Sequence, residues 1–109
     1  MIDIRILTIF PRVFDSFLQY GNPARAREAG LLNVDTVDLR DFTADRHRST
    51  DDYPYGGGTG MVMRPEPIVR AIRHMRVTLK NPRIILMTPA GRLFNQNIAE
   101  DLARLDDMA

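Results

Sequence analysis

MIDIRILTIFPRVFDSFLQYGNPARAREAGLLNVDTVDL, residues Met1–Leu39, is the stretch on which the fold turns. Its opening alternates and then runs apolar, through Ile2, Ile4, Ile6, Leu7, Ile9 and Phe10. A short run of β-branched residues of this kind predicts a buried strand. Pro11 suits the first turn of a helix, and Val13, Phe14, Phe17 and Leu18 follow at helical spacing to about Tyr20. Gly21-Asn22-Pro23 stops that helix and begins a second, short one carrying Ala24, Ala26 and Ala29. Gly30 stands where a glycine closes a helix. Alternation returns over Leu31–Leu39, with Leu32, Val34, Val37 and Leu39, and predicts a second strand.

The rest of the chain repeats that order. Pro65 and Pro67 open a helix to about Leu79, with an apolar stripe of Ile68, Ile72, Met75 and Leu79. Arg70, Arg73, His74, Arg76 and Lys80 take the opposite side, and Asn81-Pro82 breaks the helix. Arg83–Met87, RIILM, reads as a third strand, continuous and apolar as in a buried parallel sheet. Thr88-Pro89-Ala90-Gly91 is the turn at its carboxyl end, and Asn95–Leu105 is a last helix with Ile98, Leu102 and Leu105 inward. Strands alternating with helices predict an α/β fold, a mainly parallel sheet with flanking helices. Residues 1–109 form one small domain or part of a larger one.

Composition sets outer limits. Hydrophobic residues make up 44% and charged ones 27%, the balance of a globular chain and not of a disordered one. The absence of cysteine removes disulfides, thiolate metal sites and a thiol nucleophile, and leans toward the cytosol. No apolar run reaches the length of a membrane span and no signal-peptide pattern is present, so no membrane association is expected. The net charge is only +1, but it is unevenly placed: residues 64–92 carry +6 and residues 93–109 carry −3. Such a patch can steer an anionic partner.

Between the second strand and the long helix, residues 40–60 show neither helical nor strand period. About twenty irregular residues in so small a domain are uncommon outside functional loops. Asp51–Met63, DDYPYGGGTGMVM, holds four of the seven glycines, Gly56, Gly57, Gly58 and Gly60. Glycine lets a backbone take positive φ and approach a ligand closely. The run lacks the Lys of a phosphate loop and the third glycine of a dinucleotide fingerprint. A tight surface turn is the plain alternative. The flanking Tyr53, Tyr55 and Met61 favour a loop that wraps a substrate.

Upstream of it, Arg46, His47 and Arg48 form a compact cationic cluster able to grip phosphate oxygens. Asp45, Asp51 and Asp52 can orient those arginines or accept a proton; the alternative is a solvated loop of weak ion pairs. Neither histidine has a partner at metal-ligand spacing, so no metal site is expected. The turn Thr88–Gly91 lies where ligands bind in open α/β sheets, outside the carboxyl end of a strand; the alternative is an ordinary strand–helix connection. The basic side of the 65–80 helix is either a solvent face or a phosphate-tracking surface for RNA.

The order Ile9-Phe10-Pro11, Phe14, Gly30-Leu31-Leu32, Arg40-Asp41-Phe42-Thr43, Asp45-Arg46-His47-Arg48, Asp51-Asp52, Pro54-Tyr55-Gly56-Gly57-Gly58, Gly60-Met61 and Met63 closely resembles the bacterial tRNA (guanine-N1)-methyltransferases. The likeness runs through the whole chain at nearly constant spacing. Thr88-Pro89-Ala90-Gly91-Arg92 is similar to that family's Ser-Pro-Gln-Gly-Arg turn, with Thr and Ala as departures. The resemblance implies the amino-terminal part of a SPOUT-type, trefoil-knotted methyltransferase domain. The implied reaction is methylation of guanine N1 in tRNA, at the nucleotide 3′ of the anticodon, with S-adenosyl-L-methionine as donor. It implies further that Leu86, Met87, Thr88, Pro89 and Gly91 wall the donor pocket. Leu86 stands where relatives often carry Tyr. Tyr55, Gly56, Gly57, Gly58, Gly60 and Met61 would approach the target guanine, helped by Arg46, His47, Arg48, Asp51 and Asp52. The partners implied are the anticodon stem-loop of tRNA and a second copy in a homodimer, in the cytoplasm. Members are about twice as long or more, and the catalytic Asp base is expected beyond Ala109, so a fragment is expected, inactive alone. The competing expectation is a non-catalytic RNA-binding or assembly module using the glycine loop and basic helix. A nucleotide-phosphate enzyme is the weaker third, for want of a lysine in the glycine run.

Overall fold

In a computed structural model of the chain, the structure describes residues 1–54, 57 and 60–109. Strand β1, Ile2–Thr8, is followed by a 3-10 turn over Pro11–Phe14 and two helices, α1 (Asp15–Gln19) and α2 (Gly21–Glu28). Strand β2, Leu32–Asp38, then returns parallel to β1 in the register Ile2↔Leu32 to Thr8↔Asp38. The return depends on Gly30, whose φ of +73° places it in the left-handed region. Its N–H donates to Arg27 O at 3.1 Å and the Leu31 N–H donates to Ala26 O at 2.9 Å, which closes α2 with paired carbonyls. The Ile2 N–H takes up Leu31 O one residue later, at 3.0 Å, and so begins the ladder.

The sheet has two unlike faces. Val34, Ile4 and Met108 lie in one cross-strand row, with Val34 and Met108 buried. The adjacent residues point the other way, as strand period requires, and they are polar. Arg5 bonds Asp3 at 3.2 Å and also pairs with Asp35, while Asn33 Nδ2 donates to Asp3 at 3.2 Å. Parallel strands are commonly apolar on both sides; here one side is a hydrogen-bonded network.

After β2 a 3-10 turn over Leu39–Phe42 leads into the long loop, which contains two short strands, β3 (Asp51–Asp52) and β4 (Val62–Met63). Helix α3 spans Pro65–Thr78, close to the expected bounds. Its buried side is Pro67, Ala71, Met75 and Leu79, one residue from the expected stripe at its first two positions. Ile68 and Ile72 lie at the flank, half-buried. The small Pro67 and Ala71 let the helix axis approach the Leu39–Phe42 turn, where Leu39 is buried. The Phe42 ring meets the His74 ring at a centroid distance of 5.6 Å.

The expected third strand over Arg83–Met87 is corrected by the structure. Arg83 forms a single parallel bridge to Met108, and the Ile85 N–H donates to Ala109 O at 2.7 Å. Beyond Ile85 there is no strand partner among the described residues, and Leu86 and Met87 are 81% and 87% exposed rather than buried. The strand that joins the sheet is β5, Asp107–Met108, which lies parallel to β1 on the side away from β2. Helix α4, Gln96–Ala103, precedes it, with the Asn95 side chain accepting from the Ile98 N–H at 2.9 Å as its cap. The architecture is α/β with a parallel sheet in the order β2-β1-β5.

Candidate functional site

The loop after β2 is held by its own polar groups. The Asp38 carboxylate accepts from the Arg40 N–H at 2.9 Å and starts the Leu39–Phe42 turn. Arg40 and Arg48 then clasp each other across eight residues. Arg48 Nε donates to Arg40 O at 3.2 Å, and Arg40 Nη1 donates to Arg48 O at 3.5 Å. Arg48 also pairs with Asp41, and its backbone is left-handed, with φ +54°. A non-glycine residue in that region costs about 1–2 kcal/mol, and the clasp holds it there. Arg48 thus ties this loop together through both its side chain and its backbone carbonyl. Arg46 and His47 are exposed at the apex of the turn, and their side chains make no hydrogen bond or ion pair among the described residues.

Asp45 supports that apex from below. Its carboxylate accepts from the Ser49 N–H at 2.9 and 3.2 Å. Hydrogen bonds from Ser49, side chain first and backbone second, favour the ionised form and hold the Asp45 carboxyl below its ordinary 3.8. A depressed carboxylate contributes order above its unfolded pKa and loses it as pH falls through the lower, folded value. The Ser49 amide resonance is expected to titrate with a midpoint below 3.8. In Asp45→Ala that transition is expected to vanish and the Ser49 amide to exchange faster.

Gly57 and Gly60 lie between the two strands of a small hairpin. β3 and β4 pair antiparallel, Asp51↔Met63 and Asp52↔Val62. The Arg64 N–H donates to the O of buried Thr50 at 2.7 Å, so the hairpin is fastened at its base to the start of α3. Asp51 and Asp52 are both exposed at this base, and Asp52 accepts from the Tyr53 N–H at 2.8 Å. Gly57 and Gly60 have φ of +86° and +81°, and the Gly57 N–H donates to Pro54 O at 3.3 Å. Met61 is exposed beside Gly60. Tyr55, Gly56 and Gly58, expected near the substrate, lie outside the described residues.

The second expected wall, Leu86–Gly91, is an exposed turn. The Gly91 N–H donates to Thr88 O at 3.1 Å and the Ala90 N–H to Thr88 Oγ1 at 3.3 Å. A Cβ on Gly91 would stand 3.3 Å from Thr88 O, so the turn closes most tightly with glycine. Among the described residues the N–H groups of Leu86 and Met87 have no hydrogen-bond partner, and no hydrogen bond joins this turn to the hairpin. The turn thus offers bare backbone groups beside two exposed apolar side chains, which suits an amphipathic ligand.

One feature lay outside the sequence-predicted set. A cleft of about 270 Å³ opens between the 42–49 loop and the first turns of α3, lined among others by Phe42, Asp45, Ser49, Arg64, Glu66 and Arg70. Arg64 and Glu66 flank a helix start marked by Pro65, which signals the helix but not the cleft. Among the described residues no helix is long and apolar enough to cross a membrane.

A parallel sheet with flanking helices, and a long loop fastened to the start of α3, define the class: an α/β domain. Comparison with known proteins narrows the class. The family described as tRNA (Guanine-1)-methyltransferase TrmD matches residues 2–109, and the chain belongs to that family. A tRNA (guanine-N(1)-)-methyltransferase of Geotalea uraniireducens is 52% identical over 99 residues, covering 91% of this chain and 40% of the relative. The corresponding protein of Thermotoga maritima is 48% identical over 105 residues, covering 96% and 43%. The crystal structure of tRNA (m1G37) methyltransferase from Aquifex aeolicus superposes with a TM-score of 0.90 at 32% identity, covering 98% of this chain and 48% of that one. The chain spans less than half the length of these relatives.

Proposed function

We propose that this chain forms part of the site for S-adenosyl-L-methionine-dependent methylation of guanine N1 in tRNA, at the nucleotide 3′ of the anticodon. The observation that carries the reading is the glycine-bearing hairpin, fastened at its base to α3, in a chain that matches the methyltransferase family over residues 2–109. When bound, S-adenosyl-L-methionine supplies a methyl group activated on a sulfonium. Leu86, Met87, Thr88, Pro89 and Gly91 hold it through exposed backbone and apolar surface. The hairpin tip, Tyr55–Met61, orients the guanine, and orientation accounts for much of the rate in such a transfer. Arg46 and His47 hold adjacent phosphates, with Arg48 and Asp45 fixing the apex from which they project.

Transfer to N1 also requires a base to take the N1 proton. We assign none within residues 1–109. Asp51 and Asp52 stand exposed at the hairpin base, where the Asp52 carboxylate accepts from the Tyr53 N–H. The base belongs to a later part of a SPOUT-type knotted domain, which works as a cytoplasmic homodimer.

The test is methyl transfer from labelled donor to unmodified tRNA, with the modified position mapped. The protein translated from its native reading frame is expected to label guanine N1 3′ of the anticodon. Residues 1–109 alone are expected to give little or no turnover. Labelling at another base or position overturns the reaction, and rapid turnover by 1–109 overturns the placement of the base.

A further inference from the structure

α3 carries its cations away from the core. With Pro67, Ala71 and Met75 buried, helical spacing places Arg73 and Arg76 on the opposite side, and both are exposed. Arg70 continues the row toward the helix start, and exposed Lys80 follows two residues past the helix end. From Arg70 to Arg76 the stripe runs about 9 Å at the α-helical rise. Exposed Val69 and Val77 lie between the cations, at 42% and 85% exposure.

Two observations bear on this face. First, its charges are uncommitted. Arg5, Arg12, Arg48 and Arg104 each have a carboxylate within 4.0 Å, whereas Arg70, Arg73, Arg76 and Lys80 have none among the described residues. The acidic groups nearby are Glu66, a turn before Arg70, and Asp107, whose carboxylate accepts from the Lys80 backbone N–H at 3.1 Å. Second, the stripe is continuous with the candidate site. Arg70 Nη1 donates to Phe42 O at 3.4 Å, at the mouth of the cleft beside the clasped loop. Arg64, at the other side of that cleft, ties α3 to the glycine hairpin through Thr50.

We infer that the outer face of α3, Arg73 and Arg76 with Arg70 at its loop end and Lys80 just past its carboxyl end, is a track for the phosphate backbone of the RNA substrate, leading away from the target nucleotide. The inference rests on the tRNA methylation reading above. Phosphate contacts of this kind fix the position of the RNA and carry no base preference. Unpaired arginines on a rigid helix, with a lysine just past its end, hold phosphates without first breaking ion pairs. The exposed valines keep the face free of competing carboxylates.

The test measures tRNA binding by the protein from its native reading frame across a salt series, for the wild type, the triple variant Arg73→Ala/Arg76→Ala/Lys80→Ala, and Arg73→Lys/Arg76→Lys. Each phosphate contact contributes about 0.7–0.9 to the slope of log affinity against log salt. The triple variant is therefore expected to lose about 2 from that slope, while the lysine pair keeps it. All these side chains are exposed, so thermal melting is expected to match the wild type. A wild-type slope retained in the triple variant overturns the track, and leaves the face to solvent or to an acidic protein. A wild-type protein that leaves tRNA unmethylated overturns the underlying reading instead.

Discussion

Met75→Ala is expected to lower the stability of the fold by about 2–5 kcal/mol. Met75 is the largest side chain that is fully buried, at 2% exposure, and it occupies the middle of the α3 stripe. Ala71 precedes it by one turn and is wholly buried, so no neighbouring bulk on that side can collapse into the gap. The removed atoms lose their transfer free energy, and the rigid surroundings leave a cavity. Since α3 packs on the Leu39–Phe42 turn, the loss also loosens the root of the functional loop. Urea unfolding checks this: the midpoint falls while the slope of the transition stays constant. Val77→Ala, on the same helix but 85% exposed, is the matched control and is expected to change stability by less than about 0.5 kcal/mol.

On the proposed function, the double substitution Gly57→Ala/Gly60→Ala in the protein from its native reading frame is expected to reduce kcat/KM for tRNA methylation at least about tenfold, with unfolding nearly unchanged. Both residues sit at φ above +80°. A Cβ at either position meets nothing within 4 Å among the described residues, so the cost is one of backbone conformation and not of collision. At about 1–2 kcal/mol for each left-handed alanine, the hairpin tip shifts toward other shapes by about 30-fold or more. Steady-state kinetics decide the matter. An unchanged kcat/KM would show that the tip acts without its left-handed backbone. The local cost stays local because β3 and β4, with the Arg64–Thr50 bond, fasten the hairpin below the glycines.

The elements legible in the sequence were those whose own residues carry their pattern. β1 and β2 alternate, and Gly30 marks the turn between them, so both appear within two residues of their expected bounds. α3 was legible from its long apolar period. Its buried side was rotated slightly because Pro67 and Ala71 pack closely while contributing little hydropathy. β5 was illegible: its two residues, Asp107 and Met108, become a strand only by pairing with a segment a hundred residues away. Arg83–Met87 erred in the opposite sense. Its composition is that of a buried strand, but ladder partners extend only to Ile85. In the site, glycine density located the hairpin tip, and charge density located the apex at Arg46 and His47. The roles of Arg48 and Asp45 were hidden, because a hydrogen bond across eight residues leaves no mark in composition. The family likeness was legible for a different reason, the joint spacing of many short motifs, and the match over residues 2–109 bears it out.

The polar face of β1 and β2 acts as a positional lock. In the observed alignment Asp3 stands opposite Asn33 and Arg5 opposite Asp35, while Ile4 stands opposite Val34. Moving β2 by one residue would turn its side chains through the sheet. Val34 would then face the arginine, and Asp35 would enter the apolar row. Both faces would be damaged at once, so misalignment is penalised on two surfaces instead of one. Each strand pair thereby carries its own error check, written in charge on one surface and in hydrocarbon on the other. This check fixes how far the carboxyl end of β2 extends, and so where the clasped loop begins.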